Sequence, residues 1–195
     1  MKPRIYLAGP DVFFPEAAEI ARRKKAICAE FQMEGLSPFD NEVVVDPAQP
    51  QDAARRIYEG NIRLMDSADA IIANLTPFRG VSADVGTAFE LGFCAARGMP
   101  LFGYSETGDE YIQRVRGTLA LPAGAEADEQ GSSIENMGHA DNLMLIESIL
   151  RSGGAFFTPQ SYPDLSRKFD LFRACARAAA EFLRSAPTQQ ALGSS

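Results

Sequence analysis

Short apolar runs and longer amphipathic stretches alternate along the first hundred residues. Residues 4–8 (RIYLA) read as a strand, closed by the turn Gly9-Pro10-Asp11. Residues 15–32 follow as a helix with Pro15 in its first turn, where a missing N–H does no harm. Residues 36–39 predict a short strand, and Asp40-Asn41-Glu42 opens a polar loop that runs through Pro47 and Pro50. Residues 53–67 carry Ile57, Ile62 and Met65 at helical spacing, although Gly60 weakens that helix. Residues 70–75 form an apolar run of the kind buried on both faces of a parallel sheet. Thr76-Pro77-Phe78-Arg79-Gly80 breaks it with turn chemistry. Asp84 then stands as N-cap of a helix over 85–97, stopped by Gly98 and Pro100, and residues 99–104 supply the next strand.

This β-α-β-α-β-α-β order predicts an α/β fold: a doubly wound parallel five-stranded sheet of Rossmann or flavodoxin type, flanked by helices, with right-handed crossovers. Beyond Tyr104 the pattern weakens. Residues 105–133 are charged and glycine-containing, with a mobile loop expected at 123–133. Residues 141–150 (DNLMLIESIL) regain amphipathic helical character, and 166–183 read as a long final helix. The chain is expected to form one domain over 1–185, with a flexible, frayed tail at 186–195.

Composition narrows the classes. With 195 residues, 46% hydrophobic and 23% charged, the chain has the make-up of one soluble globular domain. A net charge of −7 argues against a nucleic-acid polymer as partner, because phosphate binding needs a clustered basic face. The one basic group, Arg22-Arg23-Lys24-Lys25, reads as a solvated helix face. No apolar run approaches the roughly 20 residues of a membrane span, so no membrane partner is expected. No secretory signal precedes the first strand. Cys28, Cys94 and Cys175 are odd in number and far apart, which predicts free buried thiols in a reducing cytoplasm. A single histidine, His139, and no CxxC argue against a zinc site.

Candidate chemistry concentrates in residues 69–92, DAIIANLTPFRGVSADVGTAFELG. In open parallel sheets ligands gather beyond the carboxyl ends of the strands, where the 74–84 loop lies. Glu90 sits on the following helix among small and apolar positions. Gly86 and Thr87 lie one turn before it and Phe93 and Cys94 one turn after, forming a groove that admits a flat substrate. A carboxylate so placed can act as a covalent nucleophile at an anomeric carbon. Spacing alone equally allows a solvated helix acid, with Asp84 no more than a cap. The Gly9-Pro10 turn lacks both the dinucleotide fingerprint and a Gly-Lys-Ser/Thr phosphate loop. It places Asp11 and Phe13 at the mouth of the sheet, where Phe13 either stacks on a flat ring or joins the core.

Taken together, IYLAGPDVF (residues 5–13), Asp40-Asn41-Glu42, GNI with Asn61, NLTPFRG with D-x-G-T-x-F-E-L-G (74–92) and DNLML (141–145) resemble the nucleoside 2-deoxyribosyltransferase family. The agreement runs in order over residues 4–150. The resemblance implies that Glu90 attacks C1′ of a 2′-deoxynucleoside and that Asp84 shuttles a proton to the departing base. It implies further that Tyr6 orients the nucleophile and Phe13 packs on the base. Asn142 resembles an asparagine that binds the sugar's 5′-hydroxyl from a neighbouring subunit, which implies a homo-oligomer, a dimer or a hexamer of dimers. As a residue it also suits a helix cap.

Asn61 stands where some members have an aspartate, and Glu42 where some have a glutamine facing the base. Both are candidate substrate-binding residues and places for altered base preference. Deoxynucleosides and free nucleobases are the implied partners, with no cofactor or metal. No role is carried to the C-terminal residues. Two rival readings remain: an N-glycosidase of deoxynucleosides or deoxynucleotides, for which Arg79 and Ser82 are the phosphate candidates in the key loop, and a non-catalytic nucleotide-binding module.

Overall fold

Five parallel strands in the order β2-β1-β3-β4-β5 make up the sheet of the computed structural model, which describes residues 1–41, 48–165 and 167–185. β1 (Arg4–Ala8) pairs with β2 (Glu34–Leu36) on one side and β3 (Ala70–Asn74) on the other; β4 (Leu101–Tyr104) and β5 (Phe156–Phe157) extend the sheet beyond β3. All five residues of β3 are buried, as its unbroken apolar run predicts. The strand order reverses between β1 and β3, so this doubly wound sheet opens a ligand crevice beyond the ends of those two strands.

Alternation along each strand divides the core in two. Tyr6, Ala8, Ile71 and Ala73 face Met65 of α2 (Pro50–Asp66), Leu91 and Cys94 of α3 (Val85–Ala96) and Ile146 and Ile149 of α5 (Leu143–Arg151). On the other face Ile5, Leu7, Ile72 and Phe102 meet α1 (Ala17–Glu30) and α6 (Asp170–Ser185). Cys28, Cys94 and Cys175 are free and buried. Among the described residues no helix is long and apolar enough to cross a membrane.

Several elements depart from the sequence reading. The second strand is Glu34–Leu36 rather than 36–39, because Pro38 opens a 3₁₀ turn, Pro38–Asp40, whose Ser37/Asp40 capping box ends the extended chain. α2 begins at Pro50, three residues earlier than expected, with that proline in its first turn. Residues 105–133 contain a helix, α4 (Tyr111–Thr118), started by a Glu110/Gln113 capping box. The 123–133 segment is a loop, as the sequence reading has it, with a turn on Asp128, whose Oδ1 accepts the Gln130 and Ser132 amides. Lys24 is 4% exposed rather than part of a solvated basic face, and is ion-paired with Asp11. Residues 186–195, read as a frayed tail, lie outside the described residues.

Candidate active site

Tyr6 stands at the centre of β1, fully buried on the α2/α3/α5 face. Its hydroxyl donates to Oε1 of Glu90 at 2.5 Å. Burial pushes the phenol well above its usual range, and the Glu90 charge and the hydrogen bond push it further. Tyr6 therefore remains a protonated donor. Burial also raises the Glu90 carboxyl, to about 7; the Tyr6 hydrogen bond opposes the rise and the charge of Asp84 adds to it. A carboxylate that is poorly hydrated, held by one strong donor and half ionised near neutrality is suited to nucleophilic work.

A second donor reaches Glu90 from α2. Asn61 Nδ2 lies 3.5 Å from Glu90 Oε1, at the outer limit of hydrogen bonding, and Asn61 Oδ1 accepts from Asn41 Nδ2 at 2.7 Å. That acceptance fixes the amide with its NH₂ group towards Glu90. The arrangement needs Gly60, since a Cβ there would fall 2.5 Å from Asn41 Oδ1. A glycine that weakens the helix locally thus makes room for the group that orients Asn61.

Asp84 caps α3 through Oδ2, which accepts the Thr87 amide at 3.0 Å and the Thr87 hydroxyl at 3.3 Å. Its Oδ1 has no partner among the described residues, so capping leaves one oxygen for other chemistry. The loop before it is tied at both ends. Asn74 Oδ1 accepts from the Thr76 amide and hydroxyl, and Asn74 Nδ2 donates to Asp11 at 3.3 Å. At the far end, buried Asp141 accepts from the Ala83 amide at 2.9 Å and from the Ser82 hydroxyl, with Arg114 of α4 3.6 Å away. Asp141 and Arg114 were invisible as site supports in the sequence, because their partners lie 58 and 27 residues from them.

Phe13 is 53% exposed, not core. It stacks on Phe78 with ring centres 5.3 Å apart, and the Arg79 guanidinium lies 5.2 Å from Phe13 and 4.7 Å from Phe78. Arg79 reaches this position through a left-handed backbone, φ 56. These three side chains form a flat cationic shelf from the loops after β1 and β3. Asn142 caps α5, accepting the Met144 amide at 3.0 Å, and donates to Glu135 at 2.8 Å. His139 contacts Glu147. The structure thus joins Tyr6, Asn61 and Glu90 directly, with Asp84 close enough to bias Glu90. Phe13 and Arg79 form a separate group, Asn142 is bonded within its own loop, and Glu42 lies outside the described residues.

Fold and site together define an α/β protein with a phenol-braced carboxylate beside the crevice where its strand order reverses. The chain belongs to the nucleoside 2-deoxyribosyltransferase family, whose sequence profile matches residues 5–144. An uncharacterized protein of Schizosaccharomyces pombe is 35% identical over 79% of this chain and 80% of its own length. Among solved structures, the 2-desoxiribosyltransferase from Leishmania mexicana superposes with a TM-score of 0.60 at 29% identity, over 94% of this chain and 98% of that one. The 2-deoxyribosyltransferase from Bacillus psychrosaccharolyticus shares the fold, with a TM-score of 0.53 at 20% identity over 84% and 90% of the two chains.

Proposed function

We propose that this protein exchanges nucleobases on 2-deoxyribose through a covalent deoxyribosyl-Glu90 intermediate. The observation that carries the reading is the 2.5 Å hydrogen bond from Tyr6 to Glu90. Glu90 Oε attacks C1′ of a deoxynucleoside; the C1′–N bond breaks and its electron pair leaves with the base. Asp84 relays a proton to the departing nitrogen. An incoming base then attacks C1′ from the vacated face, displaces the Glu90 carboxylate and returns its proton to Asp84. Two inversions give net retention.

Asn61 supports the ionised nucleophile, and the shelf of Phe13, Phe78 and Arg79 carries the base beside the crevice. Glu42 adds a polar group to base selection. Asn142 serves the sugar's 5′-hydroxyl in a neighbouring subunit of a homo-oligomer. The reaction recycles preformed bases and needs no cofactor, and the free buried cysteines support a cytoplasmic setting.

The test combines a deoxynucleoside with a different free base. Exchanged nucleoside is expected, and without acceptor the wild-type Glu90 peptide gains the mass of one deoxyribosyl group. Glu90→Ala should abolish both. Full activity in that variant would overturn the mechanism, and prompt deoxyribose release without exchange would replace transfer by hydrolysis.

A further inference from the structure

On the opposite face of the sheet from Glu90, between α1, the strand ends and Lys168-Phe169 just before α6, lies a cavity of about 200 Å³. Lys24, Asp11 and Tyr104 meet in it, with Phe14, Phe78 and Phe169 as aromatic walls. Two of these groups carry hydrogen-bonding capacity that the protein leaves unused. Tyr104, the last residue of β4, is 3% exposed, and its hydroxyl has no partner among the described residues. Among the described residues, every side-chain polar atom fully shut off from open space does have one. The hydroxyl therefore opens into the cavity that Tyr104 lines. Burial, with the charges of Asp11 and Glu106, holds this phenol well above its usual range, so it stays a donor.

Lys24 is 4% exposed and has three N–H donors, of which one meets Asp11 Oδ2. Its ammonium otherwise lies over the rings of Tyr104 and Phe172, at 5.4 and 5.2 Å. The acceptors are as well placed as the donors: Asp11 Oδ1 receives only a long 3.3 Å contact from Asn74, and Glu106 lines the same space. Buried polar groups are ordinarily satisfied, so an unpaired phenol beside an underused ammonium is a departure that a bound molecule would explain.

Size and charge select its class. The volume holds about six or seven waters at roughly 30 Å³ each, the bulk of one small ring. Three carboxylates (Asp11, Glu16, Glu106) against two ammonium groups (Lys24, Lys168) line the space, which disfavours a free anion. Donors, acceptors and aromatic walls together suit a neutral heteroaromatic ring bearing both carbonyls and N–H groups.

We propose that this cavity is a second, non-catalytic site for a free pyrimidine base, whose carbonyl oxygens accept from Tyr104 and Lys24 and whose N–H groups donate to Asp11 and Glu106. Phe78 is shared: it walls this cavity and stacks on Phe13 at 5.3 Å. A base held here touches the back of the shelf beside the catalytic crevice. The site stands whether or not Glu90 forms a covalent intermediate.

The probe is uracil. Crystals of the unmodified protein soaked in uracil are expected to show one ring in the cavity, with a carbonyl oxygen within hydrogen-bonding distance of Tyr104 Oη. Tyr104→Phe, which removes only the hydroxyl, should weaken calorimetric binding to this site about tenfold while melting no lower than the parent without ligand. Glu90→Gln should bind uracil there as the parent does, which separates this proposal from the transfer mechanism. Water alone in the cavity at saturating uracil, or unchanged affinity in Tyr104→Phe, would overturn it.

Discussion

The Tyr6 hydroxyl and Glu90 Oε1, 84 residues apart in sequence, are joined by a 2.5 Å hydrogen bond that ties the central region of the sheet to α3. A hydrogen bond to a charged group contributes about 1.5–3 kcal/mol. Tyr6→Phe keeps the ring and removes the donor, so kcat/KM for base exchange should fall about 10- to 100-fold. The variant should fold normally, because the phenylalanine ring fills the same space. Wild-type kcat/KM in this variant would show that the bond is structural only.

Glu90 makes the site pH-dependent in a defined direction. Its carboxyl is raised from 4.5 to about 7, and nucleophilic attack needs the ionised form. Base exchange should therefore have an acidic limb near pH 7, measurable from kcat/KM under first-order conditions. The stability effect has the opposite sense. Between the ordinary value and about 7 the folded protein holds a proton that the unfolded chain has released, so stability falls as pH rises through that window. The shift corresponds to about 3 kcal/mol at about 1.4 kcal/mol per unit. Glu90→Gln should consequently be more stable than wild type to urea at pH 8 and nearly equal to it at pH 4.

Asn41 orients Asn61 by donating to its Oδ1 at 2.7 Å, and this turns the Asn61 NH₂ group towards Glu90. In Asn41→Asp residue 41 becomes an acceptor, the Asn61 amide reverses, and Glu90 faces an oxygen in place of a donor. Tyr6 and Asp84, which also act on Glu90, are unchanged in this variant, and the charge added at residue 41 raises the Glu90 carboxyl in the same direction as the reversed amide. The acidic limb should rise by about one unit, a loss of about tenfold below it, with activity recovering at alkaline pH. A uniform loss across all pH values would assign Asn41 to folding instead.

Sequence made parts of this arrangement legible and hid others for physical reasons. The buried run of β3 and the Asp84 cap are local signals, and the family resemblance drew Tyr6 and Glu90 together. Asn41 read only as a loop residue, because its role lies in a contact with Asn61, 20 residues away, which becomes possible only where Gly60 has no side chain. β5 is two residues long, too short for any periodicity to register. The capping box at Glu110 and Gln113 is a local signal for α4, but the helix that follows is short, polar and contains Gly117, so its periodicity is weak. Lys24 looked like its basic neighbours, and its burial depends on Asp11 arriving from the turn after β1.

Asp84 caps α3 through Oδ2, which leaves Oδ1 for the proton transfer proposed above, and two substitutions separate the two tasks. Asparagine caps a helix about as well as aspartate, whereas alanine costs about 1 kcal/mol. Asp84→Asn should leave the melting temperature near wild type, and Asp84→Ala should lower it. Both should lose base exchange about 10²- to 10⁴-fold, the range of a missing general acid. In Asp84→Asn the Glu90 limb should also move to lower pH, since the charge that helps to raise it is gone.

Asn142 is hydrogen-bonded within its own chain, and the role proposed for it in a neighbouring subunit is open to a direct test. Its Oδ1 caps α5 and its Nδ2 donates to Glu135 Oε2 at 2.8 Å, while Glu135 Oε1 accepts the Leu143 amide at 2.6 Å. Glu135 therefore holds the amide in one orientation at the start of α5. If the site is completed across a subunit interface, Asn142→Ala and Glu90→Ala are each inactive alone, but a mixed oligomer contains sites with both groups intact. Co-refolding the two variants should restore base exchange, and mixing the folded proteins should restore it only as fast as subunits exchange. A mixture that stays inactive while size-exclusion and native mass spectrometry show mixed oligomers would confine Asn142 to capping its own helix.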